Sequence, residues 1–388
     1  MPKVSIVKCS DYSSEKVAHA VRQAVELAGG IDKFVKKGDR VLLKPNLLSP
    51  KHPGRAVTTH PEVLRAVIRL VKEAGASVSV GDSPGGSMAA PASGKNISLL
   101  DRYWTETGMK KICEEEGARI VSFETGGVEV FEFKGRKYVP KIHISKAALS
   151  FDAVINLPKL KTHGMVLYTG AIKNLYGCVP GLKKAEYHMQ AINPDVFSEL
   201  LVDIFSVIRP KLAIMDGITG MDANGPSSGR IRNFGIIAAS GDNVALDAVC
   251  SVIIGFKPGE IAAVNIAGKR GLGEADIRKI EFAGEKIEDV RSRDFTRPSN
   301  AALRRVPQFL ADIVGKFFWT IPEINNSKCT VCMACVKSCP AKAIEINLGD
   351  KFPVVDKKKC IKCMCCHELC IYSAVDIKLS FLARMLIK

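Results

Sequence analysis

The sequence predicts an α/β architecture with a largely parallel sheet, followed by a small α+β unit rich in cysteine. Three observations carry this. Strand-like and helix-like stretches alternate from the amino terminus to about residue 290. The strand-like stretches are near-continuous apolar runs, as strands covered on both faces must be. The last 65 residues carry one cysteine pattern twice.

Residues 3–8 (KVSIVK) predict the first strand, and residues 14–28 a helix that a serine can cap. Residues 39–46 predict a buried strand running into a proline-containing loop. Residues 61–74 predict a helix with Pro61 in its first turn and Gly75 as its stop. Residues 77–80 predict a strand ending in Gly81-Asp82-Ser83-Pro84. Further strands are expected at 153–157, 212–215 and 235–239, and further helices at 196–208 and 244–254.

In open α/β sheets, ligands collect beyond the carboxyl ends of the strands. Four such ends are rich in polar residues: Lys44-Pro45-Asn46, the stretch 81–85, the stretch 156–163, and Asp216-Gly217. In the third, Lys159 and Lys161 share one face if the segment is extended. It is followed by the helix-forming stretch 169–177, which carries Lys173, Asn174 and Tyr176. The expected binding residues are Lys44, Asn46, Asp82, Lys159, Lys173 and Asn174, and the expected ligand is a carboxylate or phosphate. Lys161 would neutralise developing charge, and His163 or Tyr176 would supply a proton. The bland alternative for these residues is surface charge and a histidine satisfying a loop carbonyl. A phosphate loop is not supported, because Ala89 and Asn96 replace its required glycine and Ser/Thr. Gly271-x-Gly273 lacks the third glycine of a dinucleotide fingerprint.

The carboxyl-terminal repeat reads Cys329-x2-Cys332-x2-Cys335-x3-Cys339-Pro340 and then Cys360-x2-Cys363-x2-Cys366-x3-Cys370. This is the ligand run of bacterial two-cluster ferredoxins, in which the fourth cysteine serves the other cluster. Two [4Fe–4S] clusters are therefore expected, one on Cys329, Cys332, Cys335 and Cys370, the other on Cys360, Cys363, Cys366 and Cys339. Ile371 stands where the first half has Pro340, a change of turn and not of ligand. Zinc would want two pairs across a longer gap, and disulfides are not expected where no export signal is seen. Cys365 reads as a spare thiol; Cys9, Cys113, Cys178 and Cys250 are scattered and fit a reducing cytoplasm. Residues 344–346, 352–355 and 375–377 predict short strands, with a hairpin between the halves.

The stretches VLLKPNLLSP, VTTHPEVLRAVIRLVKEAG, VGDSPGG, INLPKLKTHGMVLYTGAIKNLYGCVPG and DNVALDAV resemble the family known as domain of unknown function 362. The resemblance covers nearly the whole large unit. It implies an iron–sulfur protein of prokaryotes, frequent in anaerobes and often fused to a ferredoxin module, without implying a reaction. The expected division is an α/β domain over 1–295, an amphipathic helical linker over 296–323 and a two-cluster ferredoxin domain over 324–380.

The formal charge is +16. Residues 324–388 hold 11 Lys/Arg against 5 Asp/Glu, and the remainder 45 against 35, so both parts are basic. Acidic partners such as a small ferredoxin, or an anionic small molecule, are favoured. Nucleic acid is not expected, since aromatics are 6 % and no nucleic-acid motif stands out. No apolar run is long enough to span a membrane. Two functions follow as expectations: a ferredoxin-fed oxidoreductase acting on an anion, or a non-enzymatic electron carrier that docks and activates a metalloenzyme.

Overall fold

A computed structural model describes residues 1–84, 97–298 except 182 and 192, residue 300, and 320–379 except 338, 340, 347–348, 350, 361–365, 368–369, 371 and 373. The linker helix expected within 296–323, Cys363 and Cys365 fall largely or wholly outside these residues.

The large unit is built on strands β1 (Lys3–Lys8), β2 (Arg40–Pro45), β3 (Ser77–Asp82), β4 (Arg119–Ser122), the hairpin β5 (Val128–Glu132) and β6 (Lys141–Ser145), and then β7 (Ala153–Leu157), β8 (Lys159–His163), β9 (Leu167–Thr169), β10 (Leu212–Asp222), β11 (Arg230–Ser240) and β12 (Glu281–Gly284). The main sheet runs β12-β1-β11-β10-β7-β2-β3-β4, with β8 added beside β10 and β9 beside β8. The run β10-β7-β2-β3-β4 is parallel throughout, as are the β1–β12 and β8–β10 pairs. Only β11, beside β1 and β10, and β9, beside β8, run antiparallel within it. The predicted α/β class is what the chain adopts.

The local reasons are burial along the strands, as read from the sequence, and side-chain caps that the structure adds. The central strands are buried along their length, as in β7, where all five residues are covered. The helix Pro61–Glu73 starts with His60 accepting the Glu62 amide and proline in its first turn, and lays Val63, Leu64, Val67, Ile68 and Val71 on the sheet. The helix Pro194–Ile208 is capped by Asn193, and Asn243–Ile253 by Asp242, each side chain accepting two backbone amides. Two apolar layers result, one on each face of the sheet.

Two strands outrun their predictions. β10 and β11 form a long hairpin whose register shifts between Gly217 and Thr219. That irregularity lets β10 pair with β7 through Leu212 and Ala213 and then with β8 through Asp216 and Met221. β7 and β8 are thus one strand broken at Pro158, whose carbonyl accepts the Asp216 amide at 2.9 Å.

The small unit contains β13 (Thr320–Ile324), a short helix (Ala334–Lys337), β14 (Ile344–Glu345), β15 (Val354–Val355) and β16 (Val375–Leu379). β13 begins inside the stretch assigned from sequence to the linker and pairs with β16 of the small unit. Its pairing is crossed: β13 pairs with β16 and β14 with β15, both antiparallel. The predicted hairpin between the halves is β14–β15.

Candidate functional site

The two halves of the small unit repeat contact for contact at the 31-residue offset of the cysteines. Cys329 donates its amide to the Asn325 carbonyl, and Cys360 to that of Asp356. The Asn325 amide reaches the Ala374 carbonyl and the Asp356 amide that of Ala343, each at 2.7 Å. The Ala343 amide points at Cys339 Sγ (3.2 Å) and the Ala374 amide at Cys370 Sγ (3.1 Å). An amide aimed at a sulfur stabilises negative charge there, which suits a thiolate ligand.

Val331 and Met333 take left-handed backbone angles (φ 55° and 62°), coiling the loop between the first three cysteines. As a result Cys329, Cys332 and Cys335 line one recess together with Cys370 from the other half. Ile324, Met333, Pro353 and Val375 supply its apolar walls. Among the described residues no three His, Cys, Asp or Glu side chains converge on a single ion position. A cubane asks for something else, since each of its thiolates binds a different iron. Of the second predicted set, Cys339, Cys360 and Cys366 are described and are not in disulfides.

The second candidate centre lies where β2, β3, β7 and β8 end. Lys44 and Asn156 are register neighbours on β2 and β7. Lys44 Nζ donates to Asp82 Oδ2 at 2.9 Å and to the Pro45 carbonyl, and the Leu47 amide also reaches Asp82 Oδ2. Burial pushes the Asp82 carboxyl up to about 6 against the pull of Lys44. Gly177 lies against this pair; a Cβ there would stand 2.2 Å from Asp82 Oδ1 and 2.7 Å from Lys44 Nζ. Next to it Lys184 donates to the Ser83 carbonyl (2.6 Å) and hydroxyl, and Ser83 donates to Glu124. Burial brings the Lys184 ammonium down to about 8.

An asparagine chain crosses the strand ends. Asn46 Nδ2 donates to Asn174 Oδ1 (3.0 Å), Asn174 Nδ2 to Asn156 Oδ1 (2.8 Å), and Asn156 Nδ2 to the Ala171 carbonyl and Asn243 Oδ1. Lys161 Nζ donates to Asn46 Oδ1 at 2.8 Å and to the Val57 carbonyl. Lys159, two residues away and on the same face, goes to a neighbouring cluster: Asp216 Oδ2 at 2.8 Å and the Tyr12 hydroxyl at 2.6 Å. Tyr12 in turn donates to Asp216 Oδ1 and stacks on His60 with ring centroids 3.6 Å apart.

The two expected proton donors meet surroundings the sequence did not disclose. His163 Nδ1 accepts the amides of Met165 and Val166, so its proton sits on Nε2. Burial first, then Lys173, His188 and Lys161, hold the imidazole well below its ordinary range, so it is neutral at pH 7. A neutral imidazole donates a hydrogen bond; it becomes an acid only where a bound anion restores its basicity. The Tyr176 hydroxyl donates to the Lys184 carbonyl at 2.6 Å, and Lys173 Nζ lies 5.8 Å from the Tyr176 ring centre.

Thus Lys44, Asn46, Asp82, Lys161 and Asn174 come together, while Lys159 belongs to the adjoining Tyr12–Asp216 cluster. Lys184, Glu124, Asn156, Tyr12 and His60 were missed as site members. Asn156 and Asp216 were visible in the polar strand ends; nothing in the sequence marked Tyr12.

The profile of a family described only as a domain of unknown function (DUF362) matches residues 41–252, more than half the chain and the span that supplies nearly all of this polar centre. The chain belongs to the DUF362 family. A 4Fe-4S dicluster domain matches residues 321–371, beginning within β13. This DUF362 protein is therefore an iron–sulfur protein with the large domain first and the ferredoxin-type domain after it. A thylakoid-associated protein of Synechocystis sp. is 37 % identical over 276 residues, covering 69 % of this chain and 79 % of the relative. Among solved structures, the lactate racemase apoprotein from Thermoanaerobacterium thermosaccharolyticum overlaps 65 % of this DUF362 chain with a TM-score of 0.41 and 13 % identity. A Thermotoga maritima protein overlaps 61 % with a TM-score of 0.37 and 14 % identity. The chain spans little more than half of each of these two structures (56 % and 57 %), and neither resemblance extends to function. Among the described residues, no helix is long and apolar enough to cross a membrane.

Proposed function

We propose that this protein carries two [4Fe–4S] clusters and passes single electrons between an acidic partner such as a ferredoxin and an anionic small molecule held at the ends of β2, β3, β7 and β8. The observation that carries the redox half is the recess lined by Cys329, Cys332, Cys335 and Cys370, three thiols from one run and the fourth from the other. The cubane bound there supplies one-electron chemistry at low potential. The protein contributes thiolates, two amides aimed at sulfur, and an apolar wall that limits water. Cys360, Cys363, Cys366 and Cys339 form the second ligand set in this reading.

The anion half rests on charge. Lys44 and Lys184 lie against Asp82, with Glu124 beside Lys184, while Lys173 and Lys161 act on His163, whose imidazole is depressed first by burial and then by the field of those ammonium groups. A carboxylate or phosphate oxygen entering that field would accept from His163 Nε2 and be neutralised by Lys161, which makes reduction of the ligand easier. Anoxically purified protein is titrated calorimetrically with small carboxylates and inorganic phosphate. Lys161→Ala is expected to weaken binding at least tenfold with the cluster absorbance intact. Equal binding by the variant removes this centre from the proposal.

A specific observation favours a second reading. Lys44 and Lys159 are each fully buried against a carboxylate, Asp82 and Asp216, which spends their charge within the fold. On that reading the large domain is a docking body, and the signature is salt-sensitive association with an acidic protein without small-molecule turnover.

A further inference from the structure

We infer that an acidic electron-transfer protein docks over the recess of Cys329, Cys332, Cys335 and Cys370, on an apolar rim formed by Val331, Val354 and Tyr372, and exchanges electrons by way of Cys332. This deepens the reading above and rests on that recess holding a cluster.

The rim is made of apolar side chains left in water. Val331 is 37 % exposed, Tyr372 43 % and Val354 49 %. Val331 lies between Thr330 and Cys332, which both line the recess; Tyr372 lines it directly, and Val354 follows the lining residue Pro353. Of the four thiols, Cys332 is the exposed one, Cys329 and Cys335 are half-buried, and Cys370 is buried. Cys332 is therefore where the ligand set reaches the surface, and the apolar side chains surround that point.

Val331 carries a second signal. Its φ of 55° places it in the left-handed region, which glycine or asparagine occupies at less cost and a β-branched residue seldom enters. The loop thus keeps an apolar side chain where both the backbone and the exposure disfavour one. Strain held at such a position points to function. A partner that covers Val331 supplies the burial that the fold itself withholds.

The internal repeat shows that the cysteine run does not demand these residues. At the 31-residue offset the counterpart of Val331 is Lys362, and the counterpart of Tyr372 is Ala341. The cysteine spacing is the same in both halves, so the valine and the tyrosine mark the first set and not the ligand pattern.

Charge selects the partner. Lys328, one residue before Cys329, Lys337, at the end of the helix Ala334–Lys337, and Lys351, two residues before Pro353, are all exposed. Among the described residues, the ion pairs of the small unit engage Lys359 and Lys378 instead, with Glu345, Asp356 and Glu323. An apolar centre ringed by unneutralised ammonium groups fits a protein whose own contact face is apolar within an acidic border.

The test pairs the full-length anoxic protein with an acidic plant-type [2Fe–2S] ferredoxin. Affinity is measured calorimetrically between the oxidised proteins. Electron exchange is followed by stopped flow, in which the reduced [2Fe–2S] centre loses one electron and one [4Fe–4S] cluster gains it. Val331→Asn should weaken binding and slow exchange by roughly tenfold while keeping or raising thermal stability, because asparagine accepts the left-handed backbone. Lys351→Glu should act in the same direction and flatten the dependence of the rate on salt. Lys358→Glu, beside the second cysteine set, should change either quantity by less than about threefold. Every variant should keep about eight irons per chain and be reduced by dithionite at the unmodified rate. The inference is overturned if Val331→Asn and Lys351→Glu bind and exchange as the unmodified protein does, or if Lys358→Glu is the most damaging of the three. Failure of the underlying reading looks different. Fewer than about eight irons in the unmodified chain removes the clusters, and full clusters that only dithionite reduces remove the acidic partner; either result takes this inference with it.

Discussion

Lys159 and Asp216 are register partners on β8 and β10, and their side chains close a 2.8 Å ion pair from which solvent is fully excluded. Tyr12 caps the pair from the loop after β1, bonded to both members. The pair is where the broken strand β7–β8 is pinned to the long hairpin. Removing one partner leaves a buried charge with its counter-ion gone. Lys159→Ala is expected to cost about 3–5 kcal/mol of stability, measured by urea unfolding. Tyr12→Phe, which keeps the pair and removes one hydroxyl, should cost about 1–3 kcal/mol.

Gly177 is required by its neighbours rather than by its backbone angle. A methyl group there meets Asp82 Oδ1 and Lys44 Nζ well inside van der Waals contact, whereas a Cβ at Gly164 meets nothing within 4 Å. Gly177→Ala should lose about 1–3 kcal/mol and Gly164→Ala almost nothing, read from paired denaturation curves.

Asp247 accepts the amides of Ala171 and Ile172 and the Tyr168 hydroxyl, and burial pushes its carboxyl up to about 7. In the unfolded chain an aspartate titrates near 3.8. Between those values the folded protein holds a proton that the unfolded chain has released, so this group makes stability fall as pH rises from about 4 to about 7. Asp247→Asn should flatten that part of the stability–pH curve, whatever it does to the absolute value. A slope identical to that of the unmodified protein would assign the dependence elsewhere, with Asp82 as the next group to replace.

Cys370→Ala should drop the iron content from about eight to about four or fewer per chain, measured by chelator assay after anoxic reconstitution. Cys113→Ala, at a buried thiol in the large domain, should leave the count unchanged.

Much of this was legible in advance because it follows from local rules. The parallel strands announced themselves as apolar runs and the start of the helix Pro61–Glu73 as its proline, whereas the serine expected to cap the helix over 14–28 accepts no amide there. The thiol recess followed from cysteine spacing, because three ligands two residues apart leave little freedom in the loop. The polar centre was legible in composition but not in connection. Lys159 and Lys161 read as one anion-binding face, and they do share a face, yet each is bonded by groups distant in sequence: Tyr12 and Asp216 for one, Asn46 and Val57 for the other. The behaviour of His163 was hidden for the same reason, since burial and three basic neighbours from the fold set its proton affinity. β12 was missed because Glu281–Gly284 is half exposed at the sheet edge and carries no buried-strand signature.

That edge strand has a consequence for synthesis. β1 lies between β11 and β12, so Lys3–Lys8 finds its neighbours only when Arg230–Ser240 and Glu281–Gly284 have been made. β1 leaves the ribosome well before both of its partners and settles after them, which favours slow closure and exposes it to chaperones in the meantime. The cysteine-bearing segment emerges only afterwards, so cluster insertion is scheduled behind completion of the body it must serve.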